Sequence, residues 1–291
     1  MAEDRIIYHH DADPDLFLAA LKYSEANTGF NRSLIERDYY CSLILQYLFQ
    51  QDSPLVFKGG TCLGKVYVSF YRLSEDLDFV IPVTAETTRV QRRAEMGPVK
   101  AAFENIQSII PGVDISERLT GHNNSRQYIG YLSYRSVVID KLERIKVEIG
   151  LREPLLQPSE KRAASTLAVN PFNRQPLISV FSISAMSLKE MYAEKLRVAM
   201  TRREPAIRDF FDLFYAVREG LLNIQGPDLI SMVKAKLEVP GNDPIDLSAS
   251  RKDDLDRQME TRLKPVLRAK DFSRFNLDEI FSLVHAVAKE L

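Results

Sequence analysis

Apolar and polar positions follow two different periods along this chain of 291 residues. Between Pro14 and Asn27, Leu16, Leu18, Ala19, Ala20 and Leu21 fall on or near one side of a helix. Asp13 before Pro14 suits an N-cap with proline in the first turn, and Thr28-Gly29 ends the run. A second helix runs from about Arg32 or Leu34 to Gln51, with Tyr39, Tyr40, Leu43, Tyr47 and Leu48 as its apolar side. The short strand Leu55–Phe57 leads into a glycine turn, and Leu63, Val66, Tyr67 and Phe70 predict a helix from Thr61 to Tyr71. Leu77, Phe79 and Ile81 then alternate with Asp76, Asp78 and Val80, which is strand periodicity. Thr84 to Ile110 reads as a polar linker and a helix interrupted near Gly97-Pro98. Strands are predicted at Val113–Leu119 and Gln127–Tyr134, around a polar turn at 120–125. In the strand Ile145–Ile149, Ile145, Val147 and Ile149 face one way while Lys146 and Glu148 face the other.

The second half is mostly helical. Gln157 to Pro176 lacks periodicity and reads as a linker, and Leu177–Ile183 is a short apolar strand. Ser187 and Glu190 form a capping-box pattern ahead of a helix ending near Arg202. Pro205 opens another, with Phe210, Leu213, Phe214 and Val217 as its buried stripe, closed by Gly220. Helices at Asp228–Leu237 and Asn276–Leu291 bracket a charged stretch, Leu247–Arg268. The chain is therefore expected to be α+β, with a mixed β-sheet flanked by helices in residues 1–183 and a C-terminal helical bundle in residues 184–291.

The totals narrow the partners. A net charge of −1 and 27% charged residues describe an ordinary globular surface, so any nucleic-acid contact must come from a local patch. Cys41 and Cys62 sit in apolar helical patterns and read as buried reduced thiols. The polar, acidic start has no signal-like apolar run, and no stretch is long enough to cross a membrane. The expectation is a cytoplasmic protein without a membrane partner. His9 and His10 read as a mobile N-terminal pair rather than a metal site, because adjacent residues do not face each other.

The chemistry concentrates in residues 57–81. Gly59-Gly60-Thr61 can bring backbone and a hydroxyl close to a phosphate, because glycine has no side chain to block the approach. Asp76 and Asp78 share one face of their strand, roughly 7 Å apart at the backbone. Paired carboxylates beside a phosphate turn suit magnesium, which takes hard oxygen ligands and keeps positions for water and substrate. Glu148 is either a third carboxylate completing that set or an exposed side chain on an edge strand. Asp209 and Asp212, three apart, either pair with Arg208 on a helix surface or orient Lys195 or Arg208. Lys189, Lys195, Arg197, Arg202, Arg203 and Arg208 are a solvated helical face or a surface for nucleic-acid phosphates.

In order and spacing, the glycine turn, helix and Asp-x-Asp strand resemble the polymerase-beta-like nucleotidyltransferases. The run Arg72-x-Ser74-x-Asp76-x-Asp78 is similar to the AbiEii/AbiGii toxin-type members, as is Glu194-Lys195-Leu196 followed by Arg208-Asp209-Phe210-Phe211-Asp212-Leu213. Thr61 stands where those families most often have serine and keeps the hydroxyl. The resemblance implies a nucleotidyltransferase fold and transfer of NMP from an NTP to an acceptor. Gly59, Gly60, Thr61, Arg72, Ser74 and Lys195 would bind the nucleotide, Asp76, Asp78 and Glu148 would hold two Mg2+ ions, and Lys195 and Asp212 would be needed for activity. It further implies the toxin of a type IV toxin–antitoxin pair, acting on tRNA and countered by an antitoxin encoded nearby. Transfer to a small hydroxylated molecule and a catalytically silent nucleotide- or antitoxin-binding module are the other readings; intact Asp76, Asp78, Glu148 and Lys195 argue against the silent one.

Overall fold

The structure is a computed structural model that describes residues 7–291; residues 1–6, part of the polar start read above, lie outside the described residues. The chain divides into two compact units, one running to Pro154 with Ser159–Ala185, the other holding Leu155–Pro158 and Met186–Leu291.

The first unit is built on a mixed sheet. Its strands are β1 (Val56–Lys58), β2 (Leu77–Val80), β3 (Val113–His122), β4 (Gln127–Arg135), β5 (Leu142–Gly150), β6 (Glu160–Ala164) and β7 (Phe181–Ala185), ordered β3-β4-β5-β2-β1-β7-β6. β2 runs parallel to β5 and β1 parallel to β7, while the other neighbours are antiparallel. The helices are α1 (His9–Ala12), α2 (Pro14–Thr28), α3 (Arg32–Gln50), the single turn α4 (Gly59–Cys62) and α5 (Arg89–Ile109). Asp13 caps α2 by accepting the Leu16 N–H at 3.0 Å. α3 is buried on nearly every side, so its polar residues need internal partners. Lys65 Nζ supplies one, lying 2.5 Å from Asp38 Oδ1 and 2.6 Å from Ser42 Oγ, while Thr166 donates to Asp38 Oδ2 at 2.9 Å.

Several expectations change here. The helix after the glycine turn starts at Gly59, continues as a π-helical stretch Leu63–Tyr67 and stops there, not at Tyr71. Ser69 and Phe70 adopt positive φ, which a right-handed helix cannot continue through. α5 is not interrupted: Gly97 and Pro98 lie on its exposed face, where water can take the carbonyl that proline leaves unpaired, and Met96 and Val99 hold the buried side. In α2, Phe17, Ala20, Leu21 and Ser24 are the buried set, whereas Leu16 and Leu18 are only half-buried. β6 lies in the stretch read as a linker; as an edge strand with one covered side it has little apolar signal. The last strand is displaced to Phe181–Ala185. His10 is not a mobile terminus, since its ring lies 3.1 Å from Tyr39 Oη and 2.7 Å from the Pro111 carbonyl oxygen.

The second unit is helical: α6 (Leu188–Thr201), α7 (Ile207–Arg218), α8 (Pro227–Glu238), α9 (Ala249–Asp256), α10 (Ala269–Phe272) and α11 (Leu277–Ala288). Ser187 caps α6, but Glu190 does not reach back to complete a capping box. It is fully buried and turns instead to Lys236 of α8 at 2.6 Å and to the Leu156 and Gln157 amides at 3.0 Å. In α7, Ile207, Phe210, Phe211, Leu213 and Phe214 are buried, while Val217 is only half-covered. Among the described residues no helix is long and apolar enough to cross a membrane. Both cysteines are buried and unbridged.

Candidate active site

Sheet pairing sets charged residues in one row. Lys58 of β1 pairs with Asp78 of β2, and Asp78 pairs with Glu148 of β5. Directly paired residues project to the same face, so Lys58, Asp78 and Glu148 stand side by side, with Lys146 two residues back on that face. The intervening Leu77, Phe79, Val147 and Ile149 point the other way and are no more than 1% exposed. That apolar anchorage holds the strands, and thereby the carboxylates, in fixed register. Asp76 precedes β2 and acts on Asp78 electrostatically.

The glycine turn closes on this row. Gly59 has φ of 78°, and a Cβ there would lie 2.5 Å from Asp78 Oδ2. Only glycine adopts that conformation cheaply and lets the carboxylate sit against the chain. A Cβ on Gly60 would fall on the Arg72 guanidinium and 3.2 Å from Ser74 Oγ. Arg72 is buried and donates from Nη1 to the Leu73 carbonyl at 3.1 Å. The buried Thr61 hydroxyl donates to the Asp76 carbonyl at 2.5 Å, tying the turn to the start of the acidic strand. Gly59, Gly60, Thr61, Arg72, Ser74, Asp76, Asp78 and Glu148 are thus gathered within the first unit.

The carboxylates repel one another. Burial first, then the charges of Glu148 and Asp76, lift the Asp78 carboxyl to about 6 despite the attenuating charges of Lys58 and Lys146. Burial also pushes Glu148 up, but the Lys146 ammonium at 2.5 Å and the Gln127 amide at 2.6 Å outweigh it and hold its carboxyl below the usual range. Lys146 loses stability as a cation by burial, yet Glu148, Asp78 and Asp76 turn the net direction upward. Among the described residues no three histidine, cysteine or acidic side chains stand as a ready cation cage. Glu148 is engaged by Lys146, and the set offers the hard oxygens a magnesium ion prefers. A Glu148 carboxylate exchanging Lys146 for a divalent ion fits that chemistry.

In the second unit, Lys195 Nζ lies 2.6 Å from Asp209 Oδ1 and 2.9 Å from Asp212 Oδ2. Asp209 and Asp212 are buried rather than lying on a helix surface. Three apart on α7, they share a face and clasp one ammonium. The basic residues read as one cluster divide in part: Lys189 pairs with Asp228 at 3.1 Å and Arg197 donates to Asn242 at 2.7 Å, while Lys195 and Arg202 both turn to Asp209, Arg202 at 3.6 Å.

Sequence reasoning gave no role to Lys58, Lys146 or Gln127. Lys58 directly precedes the glycines and Lys146 shares the Glu148 face, so both carried a positional signal. Gln127 carried none, because its approach to Glu148 depends on β4–β5 pairing.

A sequence model described as the nucleotidyl transferase AbiEii toxin of type IV toxin–antitoxin systems matches residues 44–282. Among curated proteins no sequence matches. The crystal structure of JHP933 from Helicobacter pylori is similar at a TM-score of 0.50 and 18% identity, covering 89% of this chain and 92% of that one, which supports the fold. A second H. pylori structure, described as that of a candidate nucleotidyltransferase, gives a TM-score of 0.49 at 18% identity over 89% and 95% of the two chains.

Proposed function

This chain belongs to the AbiEii nucleotidyl transferase toxin family of type IV toxin–antitoxin systems, and from that premise we propose that it moves a nucleoside monophosphate from an NTP to an acceptor RNA, with tRNA as the substrate class. Membership makes it a nucleotidyltransferase with an NTP substrate and an antitoxin partner. The observation that carries the reading is the Asp78–Glu148 pairing beside Gly59, where the chain lies bare against the Asp78 carboxylate.

The acceptor hydroxyl oxygen attacks the α-phosphorus, the bond from that phosphorus to the bridging oxygen breaks, and pyrophosphate leaves. Gly59 and Gly60 let the triphosphate approach the backbone closely. Arg72, beside Gly60, offsets the charge that develops on the departing pyrophosphate, and Ser74 steadies the loop. Asp76, Asp78 and Glu148 are the residues that would hold two magnesium ions. When bound, the ions lower the pKa of the attacking hydroxyl and stabilise both entering and leaving oxygens. Thr61 keeps the turn attached to the Asp76 segment. Lys195 is assigned to the triphosphate, with Asp209 and Asp212 orienting its ammonium.

The test is transfer of label from each of the four NTPs to total tRNA with magnesium present. Wild type is expected to label RNA and Asp78→Ala to lose the product. Equal labelling by Asp78→Ala removes the site assignment, and label appearing only on a small hydroxylated molecule removes RNA as the acceptor.

A further inference from the structure

The second unit contains a cavity of about 740 Å³ bordered by the C-terminal end of α7 and the segment 268–274. Its volume lies within the range of ligand pockets, roughly 300–1,000 Å³. Arg218, Arg268, Lys270 and Arg274 line it, against Glu219 and Asp271. This local excess of cations stands in a chain whose overall charge is −1.

The acidic residues do not neutralise that wall evenly. Asp271 is paired with Arg268, and the Arg218 guanidinium lies 3.8 Å from Glu279. Among the described residues, the exposed Lys270 and Arg274 side chains make no ion pair or hydrogen bond. Unpaired cations bordering a concave surface focus positive potential into it. The back of the cavity is aromatic and rigid: Phe211 and Phe214 pack on Phe275 at ring-centroid distances of 5.5 and 5.3 Å. Tyr215, half-buried, packs on Phe211 and contributes to the same lining.

Cations spread over two segments, with an aromatic ring between them, match a phosphodiester strand better than a single small anion. The strand supplies several phosphates for the cations and flat bases for the ring. We propose that this cavity holds the backbone of the acceptor RNA, Lys270 and Arg274 meeting phosphates and Tyr215 offering its face to a base. The proposal rests on RNA being the acceptor.

Full-length protein is titrated against a short fluorescent single-stranded RNA over a series of salt concentrations, without NTP. Three variants are compared: Lys270→Gln/Arg274→Gln, Arg274→Lys and Tyr215→Leu. The double variant is expected to bind about tenfold more weakly at low salt, with a salt slope shallower by about 1.4, the value for two lost phosphate contacts on a single strand. Arg274→Lys keeps the wild-type slope, and Tyr215→Leu weakens binding without changing it. An unaltered slope and affinity in the double variant overturns the proposal, as does a wild type that binds no RNA. Free ATP is the second probe: ATP that competes with RNA and is itself lost in the double variant reassigns the cavity to a nucleotide. RNA labelling that persists while the variant slopes stay at the wild-type value sinks the cavity alone. RNA held through the cavity but never labelled sinks RNA as the acceptor alone.

Discussion

Asp78 and Glu148 are direct lateral neighbours on two parallel strands, though seventy positions of chain separate them. Their shared face makes each carboxylate part of the other's environment, and the Asp78 carboxyl rises to about 6. Lys58, on the far side of Asp78, and Lys146, beside Glu148, bracket the pair with positive charge.

Removing the Asp78 charge should stabilise the fold while abolishing transfer. Because its carboxyl is lifted, the folded chain holds that proton more tightly than the unfolded chain. The contribution favouring folding is complete below the ordinary value of 3.8 and disappears as pH rises through about 6. Asp78→Asn is therefore expected to be more stable than wild type above pH 6, by up to about 3 kcal/mol, with the difference shrinking towards pH 4. Denaturant unfolding at several pH values measures this; a less stable variant at pH 7 removes the repulsion argument.

If Glu148 holds a divalent cation as proposed, that ion must displace Lys146 from it. Magnesium should raise the melting temperature of wild type, and chelation should reverse the gain. Lys146→Gln should lower stability without the ion and enlarge the magnesium-induced shift. Asp78→Asn should lose most of that shift. Thermal melts across a magnesium titration decide this, and identical shifts in all three proteins would count against carboxylate binding of the ion.

The glycine turn has two separable requirements. Gly59→Ala forces a left-handed φ on an alanine, costing roughly 1–2 kcal/mol, and displaces the Asp78 carboxylate as well. Thr61→Val removes the donor to the Asp76 carbonyl at a cost of about 1 kcal/mol, whereas Thr61→Ser should restore stability. Unfolding free energies test both, and a Thr61→Val protein as stable as wild type would show that the hydroxyl bond to the Asp76 carbonyl does not hold the turn.

In the second unit, Lys195→Met leaves two carboxylates one turn apart without their shared cation. Stranding buried charge costs about 3–5 kcal/mol, and adding Asp209→Asn to that variant should return part of it. Equal stabilities of the single and double variants, read by denaturant midpoints, would refute the coupling.

Much of the design was written in local periodicity. Alternation around Leu77–Ile81 and Ile145–Ile149 placed Asp78 and Glu148 on strand faces, because side chains reverse at every step of an extended chain, whereas Asp76, expected on the same strand face, lies just before the strand. The Asp13 cap and the tyrosines of α3 were legible for the same local reason. The sequence alone also determined the family, through the ordered motifs from Gly59 to Asp78 and from Lys195 to Asp212. Only tertiary structure could set Glu148 beside Asp78, bring Gln127 and Lys146 to that carboxylate, or turn Glu190 from its capping role to the buried Lys236. Those outcomes depend on which strands pair and which charges lose their water, and neither is encoded in the spacing of neighbouring residues. β6 and the uninterrupted α5 belong with them: an edge strand needs its partner to exist, and Gly97-Pro98 is tolerated because packing on the opposite face outweighs one missing hydrogen bond.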